Sequence, residues 1–392
     1  MEDKNITEMM QMEIRVPDIV QEKADLTFEQ IRTERTYQKM KTRKRSRNRR
    51  VLPLVAAAAV LVFGTTVCAA GYLKWSRGLQ SKFEGTEEQR QMLQTEQIAA
   101  PVAPENNSVT SEGVTVTAEQ TIVTDQFAWL SFKVEGYDLE EGKEPCFDQV
   151  SVSINGNTDI SYTSSFYNGM HLDETGQFVY DDGTRAEETA DGSVIERYVA
   201  EDGSMEYIIW LIAAGDDNIT LTNSVAHVRF MNLGTVHKAA FTSDLDAEWE
   251  LDIEMKGSDA VREVSLSEPL GESGAVVKHA EISPISIQVD YDFAAQKIVI
   301  DGVNENGEDI QSTDYTEPPM INGVRLKDGT LLTAVTNGGA TRWDEETETY
   351  TVTFATNRIL DTAQIDALLF LKAIPDQPGP ITEENLYVVP IE

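Results

Sequence analysis

Residues 51–73 form a run of 23 residues without a charged side chain, in a sequence of which 25% is Asp, Glu, Lys or Arg. As an α-helix, such a run is long enough to cross a hydrocarbon layer of about 30 Å. Pro53 falls in the first turn, where its missing backbone N–H costs little. The run therefore predicts one transmembrane helix, with membrane lipid as its partner.

The residues on either side of this run predict its orientation. Eight basic side chains and no acidic ones occupy residues 39–50, whereas Tyr72 and Trp75 stand at the other end, where aromatic rings favour the interface. Basic segments beside a membrane helix stay in the cytoplasm. We therefore expect residues 1–50 to be cytoplasmic and residues 74–392 extracytoplasmic, in a single-pass protein of the cell membrane.

Two other interpretations of the run stay open. Val67-Cys68-Ala69 would suit the cleavage site of a secretory signal peptide, and a lipid could be attached to Cys68. The run is longer than the roughly 7–15 residues of a signal-peptide core, and Val67 is bulky for the residue before a lipid-bearing cysteine. An uncleaved transmembrane helix is favoured for these reasons.

The charge is divided unevenly along the chain. Residues 1–50 hold 13 Lys+Arg and 9 Asp+Glu, whereas residues 74–392 hold 19 and 58, a net charge of −39. Phosphate binding needs clustered positive charge, so nucleic acid is not an expected partner. The basic residues beside the apolar run indicate topology and attraction to anionic lipid. The acidic outer part favours cationic partners such as peptides or metal ions.

Apolar residues recur at helical spacing in residues 18–44, before the basic run. The positions are Ile19, Val20, Ala24, Phe28 and Ile31. One interpretation is a helix that only leads into the membrane. The other is a docking surface for a cytoplasmic partner, made by Ile19, Val20, Phe28 and Ile31, since short helices rarely stand alone without a partner or a bilayer.

Residues 74–108 are predicted to form juxtamembrane helices followed by a linker. Thr86-Glu87-Glu88-Gln89 has the spacing of a capping box, which places a helix start at Thr86. Residues 99–108 are rich in Pro, Ala and Asn, which is typical of a linker.

From residue 109 onward, short alternating runs are separated by turn residues, a pattern typical of β-sandwiches. A first set of strands is predicted within residues 109–257, including residues 114–120, 127–134, 150–154, 207–212, 226–230 and 249–253. Asn155-Gly156 marks a hairpin-type turn.

A second set of strands is predicted within residues 281–392, after a connector at residues 258–280 that contains Gly271 and Gly274. The fold class is therefore mainly β. We expect tandem immunoglobulin-like β-sandwich domains outside the membrane, preceded by a helical cytoplasmic segment and one transmembrane helix. One larger sandwich is the alternative.

Motifs for catalysis or cofactor binding are lacking in the sequence. The four histidines, His171, His227, His237 and His279, include no pair at helical metal-site spacing and none beside a cysteine. The sequence has neither a Gly-x-Ser-x-Gly nor a Ser-x-x-Lys motif, and Cys146 is expected to be a half-buried free thiol. We therefore expect no enzyme, cofactor or metal site.

Several segments resemble the Gram-positive single-pass membrane proteins grouped as domain of unknown function 4179. The similarity rests on Val16-Pro17 with Phe28 and Ile31, the Ala-rich run 51–73, residues 75–79 and 86–89, and the strand residues 113–117, 130–137 and 282–287. The resemblance implies a membrane-anchored extracytoplasmic β-domain with a short cytoplasmic segment. These proteins are similar in layout to anti-sigma factors and are often found with extracytoplasmic-function sigma factors.

Two hypotheses for function follow. In the first, the outer β-domains bind or sense an unidentified ligand, and residues 1–50 contact a cytoplasmic partner, with a sigma factor as the candidate. In the second, the protein is a structural or adhesive envelope anchor without a signalling role, whose cytoplasmic tail is a topology signal. A hydrolase is a distant third because nucleophile and metal signatures are missing.

Overall fold

The computed structural model describes residues 74–391, apart from residues 106, 174–176, 190–191, 214–218, 238–239, 259–260, 304–308 and 374–380. The predicted cytoplasmic segment and the predicted transmembrane helix lie outside the described residues. Within the described part, no helix has the length and apolar character that a membrane crossing requires. Residues 186–195 belong to a different compact unit from the other described residues. They contain an antiparallel bridge between Glu188 and Val194.

Two short helices lie in residues 74–98, which we call the bridging segment. Helix α1 (Arg77–Lys82) begins after Ser76, and helix α2 (Glu87–Thr95) begins after Thr86. The Thr86 hydroxyl accepts from the Gln89 N–H, and the Gln89 side chain accepts from the Thr86 N–H. This reciprocal pair is the predicted capping box, and it is confirmed.

The strands between residues 99 and 255 form the first β-region. They are β1 (Ala99–Pro101), β2 (Ser108–Ser111), β3 (Val114–Val123), β4 (Phe127–Glu135), β5 (Glu144–Ile154), β6 (Ser161–Phe166), β7 (Met170–Leu172), β8 (Phe178–Tyr180), β9 (Met205–Ile212), β10 (Ser224–His237) and β11 (Ala240–Met255). One sheet has the order β1-β3-β4-β9-β6, with β2 also paired to β3; the others are β11-β10-β5 and β7-β8.

The strands between residues 262 and 390 form the second β-region. They are β12 (Arg262–Pro269), β13 (Val276–Ile282), β14 (Ser286–Asp292), β15 (Lys297–Val303), β16 (Asp309–Tyr315), β17 (Ile321–Leu326), β18 (Leu331–Leu332), β19 (Thr336–Asp344), β20 (Thr349–Thr356), β21 (Ile365–Leu371) and β22 (Leu386–Pro390). The sheet orders are β12-β13-β14-β20-β19, β18-β17-β21-β22 and β15-β16. Two 3₁₀ turns, Thr362–Gln364 and Glu383–Asn385, precede β21 and β22.

Each β-region has its own apolar core, and each core takes side chains from two sheets. The first core joins the β3-β4-β9 sheet to the β5-β10-β11 sheet, with Leu130 and Ile209 on one side and Val228 and Leu251 on the other. The second joins the β14-β20 sheet to the β17-β21 sheet. Two antiparallel sheets around one core are consistent with the predicted β-sandwich architecture.

Strand β4 is buried on both faces, which explains its nearly continuous apolar sequence. Leu130 and Phe132 point into the first core. Phe127 and Trp129, on the opposite face, belong to a third apolar cluster. Successive side chains of a strand face opposite ways, so a strand between two cores needs apolar residues at successive positions.

The third cluster, which we call the interlayer cluster, contains side chains of the bridging segment and of both β-regions. The bridging segment supplies Trp75, Leu79 and Phe83, among others, and the second β-region supplies Ile285 and Ile359. Residues 74–98 are therefore packed between the two β-regions, where their apolar side chains cover surface that neither core covers.

Two predicted connections contain strands instead. Within residues 99–108, β1 pairs with β3 and β2 begins at Ser108; Pro101 is tolerated because β1 lies at a sheet edge. Within residues 258–280, β12 and β13 form a hairpin. Gly271 and Gly274 have positive φ and make its turn, so these glycines mark a reversal of the chain and not a connector.

The turn predicted at Asn155-Gly156 is present, and both residues have positive φ, as a type I′ turn requires. The following strand β6 does not complete a hairpin with β5, however. It pairs with β9, whereas β5 pairs with β10. The turn was thus predicted correctly, whereas the strands on either side of it belong to different sheets.

We expect the variant Phe83→Ala to lower the free energy of unfolding by about 3–5 kcal/mol, because it leaves a cavity in the interlayer cluster. The Phe83 side chain is fully buried, and its ring centroid lies 4.8 Å from that of Trp129. Denaturant unfolding of the purified full-length chain, followed by tryptophan fluorescence, measures the change.

The matched control is Phe178→Ala, which truncates a phenylalanine on β8 that is 48% exposed. A loss below about 1 kcal/mol is expected for this variant. Equal losses for the two variants would contradict the packing of the bridging segment described above.

Candidate functional site

A cleft of about 840 Å³ opens in the first β-region, beside the start of the bridging segment. Residues 74–77 form one wall. The rest is formed by residues from β3, β4 and β9, by Gly169, by residues 180–182 and by the chain between residues 197 and 204. Its volume lies in the range of about 300–1,000 Å³ that is usual for sites of small ligands. This cleft is the candidate functional site.

A buried carboxylate, that of Glu206 on β9, lines the cleft. Glu206 is only 6% exposed. Oε2 accepts a hydrogen bond from the Gly78 N–H at 2.8 Å, and Oε1 accepts one from the Ser131 hydroxyl at 2.9 Å. Two donors compensate in part for the removal of the charge from water. Glu206 therefore attaches helix α1 to the sheet.

Gly78 allows this close attachment because a Cβ atom at this position would clash with Ile208 and with the Glu206 carboxylate. A side chain here would push α1 away from the sheet. The requirement for glycine thus comes from tertiary packing and not from the helix itself.

Burial lowers the pKa of Lys82, at the end of the same helix, while the negative charge of Glu206 acts in the opposite direction.

A buried amide, Gln120 on β3, also lines the cleft. Its Oε1 accepts a hydrogen bond from the Ser76 N–H at 3.1 Å. Its Nε2 has no hydrogen-bond partner among the described residues, although the residue is only 2% exposed. An unpaired buried amide donor costs about 1–3 kcal/mol. The Gln120 amide is therefore fixed by one hydrogen bond and has one unused donor.

Ion pairs connect the wall formed by the bridging segment to the rest of the cleft. Arg77 Nη1 lies 3.0 Å from Asp181 Oδ2, and Arg77 Nη2 donates to the Tyr198 carbonyl at 3.3 Å. The Tyr167 hydroxyl donates to the other oxygen of Asp181 at 2.5 Å. Burial raises the pKa of Tyr167, and the hydrogen bond to Asp181 acts in the same direction, so the phenol stays protonated.

A second ion-pair group joins β4 to the loop before β9. Lys133 Nζ lies 2.9 Å from Glu135 Oε1 and 3.1 Å from Asp202 Oδ2. Asp202 also accepts hydrogen bonds from the hydroxyl and the N–H of Ser204, which lower its pKa, and Lys133 lowers it further. Three donors thus hold the Asp202 carboxylate in its charged form.

Four charged side chains that line the cleft have no ion-pair partner among the described residues. They are Lys74, Glu119, Glu201 and Glu206. Partial burial raises the pKa of Glu119, and the neighbouring Glu206, Glu135 and Asp202 raise it further, while Lys133 lowers it. The unpaired charge in the cleft is therefore mainly negative.

The histidines do not gather into a site. His171, His227, His237 and His279 lie in strands β7, β10, β10 and β13, and His227 Nδ1 lies 2.8 Å from Asp252 Oδ1. Among the described residues, no group of three or more His, Cys, Asp or Glu side chains is arranged to hold a metal ion.

Cys146 is a partly buried free thiol, as the sequence predicted. Burial raises its pKa to about 11, and the negative charges of Glu144 and Asp148 add to the effect. The thiol is therefore protonated at neutral pH, and Cys146 is not among the residues that line the cleft.

The predicted partner-docking residues Ile19, Val20, Phe28 and Ile31 lie outside the described residues, so their interpretation stays a prediction. Glu206 and Gln120 were not singled out from the sequence. One signal was present, because Glu206 precedes the apolar run Tyr207–Ile212 in a strand that is buried on both faces. An acidic residue at such a position needs hydrogen-bond donors around it.

No protein-family model and no curated protein matches this chain. One similar solved structure is the crystal structure of the conserved domain protein from Bacillus anthracis, with 10% identity and a TM-score of 0.35 over 74% of this chain and 85% of that one. A similarity at this level defines neither a family nor an activity.

We expect the variant Asp202→Asn to lower the thermal midpoint at pH 7, by an amount equivalent to less than about 1 kcal/mol because Asp202 is largely exposed. The depressed pKa in the folded state means that Asp202 stabilises the fold above the unfolded-state pKa of about 3.9. This contribution is lost as the pH falls through the lower pKa of the folded state.

Thermal unfolding between pH 7 and pH 2 measures this dependence. The difference between the wild type and Asp202→Asn should stay nearly constant down to about pH 4 and shrink below that pH. Asp159→Asn serves as the control because Asp159 is an exposed residue outside the cleft. A difference for Asp202→Asn that stays constant down to about pH 2 would rule out this electrostatic contribution.

Proposed function

We propose that the chain is a single-pass membrane protein of the bacterial envelope whose extracytoplasmic part binds a ligand in the cleft and whose residues 1–50 contact a cytoplasmic partner. The observation that carries this proposal is the position of residues 74–77. They line the cleft, and they follow the apolar run 51–73 without a linker. A bound ligand would touch the chain where the expected transmembrane helix ends.

The contacts of residues 74–78 suggest how binding would be transmitted. The Ser76 N–H donates a hydrogen bond to the Gln120 side chain, and the Gly78 N–H donates one to the Glu206 carboxylate. The Arg77 guanidinium donates to the Asp181 carboxylate. A ligand shifts a conformational equilibrium only if it binds the two conformations with different free energies. A ligand that changes these three contacts would meet this condition, and the displaced residues would move the end of the transmembrane helix.

The cytoplasmic partner that we propose is a sigma factor, bound by the helical surface of Ile19, Val20, Phe28 and Ile31. The support is the resemblance to the proteins with domain of unknown function 4179, which are similar in layout to anti-sigma factors. A short amphipathic helix commonly binds by placing its apolar face in a groove of the partner. The basic residues 39–50 would keep this segment at the cytoplasmic side of the membrane.

We further propose that the two β-regions are tandem immunoglobulin-like domains. The support is the pair of antiparallel sheets around each core. Trp249, fully buried in the first core, donates a hydrogen bond to the Val114 carbonyl at 3.0 Å, so this large side chain joins the two sheets of that region. Such domains bind ligands with many different surfaces, and the fold alone does not specify the ligand.

The test is co-purification of a sigma factor with the full-length chain. The tagged chain is isolated from detergent-solubilised membranes of the source organism, and the bound proteins are identified by mass spectrometry. We expect a sigma factor to be retained by the wild type. The double variant Phe28→Asp plus Ile31→Asp should reduce its recovery at least about tenfold, because two charges are placed in an apolar contact.

The matched control is Met9→Asp plus Met10→Asp, which adds the same two charges before Pro17 and outside the proposed docking surface. This variant should retain the sigma factor. If the wild type retains no sigma factor, or if both variants lose it equally, the docking proposal fails. The alternative of a structural or adhesive anchor predicts the first of these results.

A further inference from the structure

We propose that the cleft binds a cationic peptide, with its ammonium or guanidinium groups against Glu119 and Glu201 and a peptide carbonyl on the amide of Gln120. The inference rests on the proposed function, since it identifies the ligand class of the same cleft.

The unpaired charge in the cleft is mainly negative. Arg77 is paired with Asp181 and Arg197 with Asp182. Lys133 lies between Glu135 and Asp202. Glu119, Glu201 and the buried Glu206 are then opposed only by Lys74 among the lining side chains without an ion-pair partner. A cation is the ligand group that would compensate this excess of negative charge.

The Gln120 amide has a hydrogen-bond donor that a ligand could use. Gln120 is buried, and its Oε1 is held by Ser76. Its orientation therefore leaves Nε2 as a donor without a partner among the described residues. A ligand carbonyl that reached Nε2 when the wall at Ser76 shifts would remove the cost of this unpaired group. A peptide has such carbonyls beside its side chains, whereas a simple polyamine has none.

The long-range electrostatic field of residues 74–392 also favours a cationic ligand. Residues 74–392 carry a net charge of −39, which attracts cations and repels anions. Burial raises the pKa of Glu119, and the carboxylates of Glu206, Glu135 and Asp202 raise it further, while Lys133 lowers it. A bound cation would lower this pKa again.

The experiment is calorimetric titration of the full-length chain in nanodiscs of zwitterionic phosphatidylcholine, with empty nanodiscs as the blank. The probes are tri-lysine, tri-glutamate and spermidine. We expect tri-lysine to bind, tri-glutamate not to bind, and spermidine to bind at least about fivefold more weakly than tri-lysine, because it lacks a carbonyl for Gln120.

The decisive variant is Glu119→Gln plus Glu201→Gln, which should weaken the binding of tri-lysine about tenfold. The matched control is Glu345→Gln plus Glu346→Gln, which removes the same charge from the turn between β19 and β20, outside the cleft. The control should change the affinity less than about twofold, because exposed charges far from a site are screened.

Equal weakening by both double variants would overturn the site and leave only a general attraction to the acidic surface. Equal affinities for spermidine and tri-lysine would overturn the peptide assignment, and preference for tri-glutamate would overturn the charge assignment. Absence of binding by all three probes would overturn this inference as a whole. None of these results decides the sigma-factor experiment, in which no ligand is added, so the two proposals fail separately.

Discussion

The contact between Phe83 and Trp129 lies where the bridging segment meets the first β-region, with the ring centroids 4.8 Å apart and the planes at 75°. Trp129 in turn stacks on Trp210. The β4–β9 sheet contributes only one of its two faces to the first core. On the β4–β9 sheet this second face is apolar, and residues 74–98 cover it together with Ile285 and Ile359 of the second β-region. Burial of these large rings stabilises the whole arrangement.

Polar groups oppose this apolar packing. Five buried side-chain atoms in the described residues have no hydrogen-bond partner, namely Arg90 Nε, Gln120 Nε2, Trp210 Nε1, Asn357 Oδ1 and Arg358 Nε. All five belong to residues of the bridging segment, of its direct hydrogen-bond partners or of the interlayer cluster. Each unpaired group costs about 1–3 kcal/mol. The layer between the β-regions is therefore held by apolar contacts that must exceed these costs, and the cleft lies at its margin.

Local features of the chain were predictable from particular residues. The alternation in residues 114–119 of β3 and in β14 predicted strand with one buried face, and Thr86 with Gln89 predicted the start of α2. The hairpin of β12 and β13 was missed because its two glycines are as compatible with a connector as with a turn. The cleft was missed for a different reason. Ser76 and Gln120 are 44 residues apart in the sequence, and Gly78 and Glu206 are 128 apart.

The sequence by itself determined the strand periodicity, the charge asymmetry and the apolar run 51–73, because each depends only on residues that are close together in the chain. The tertiary structure alone decided which sheet receives each strand, as for β5 and β6, and where the acidic side chains meet. It also decided that residues 74–98 are part of the packed structure. These outcomes depend on which apolar faces pack against one another. A local sequence pattern predicts that a face is apolar, but it does not predict which element packs against that face.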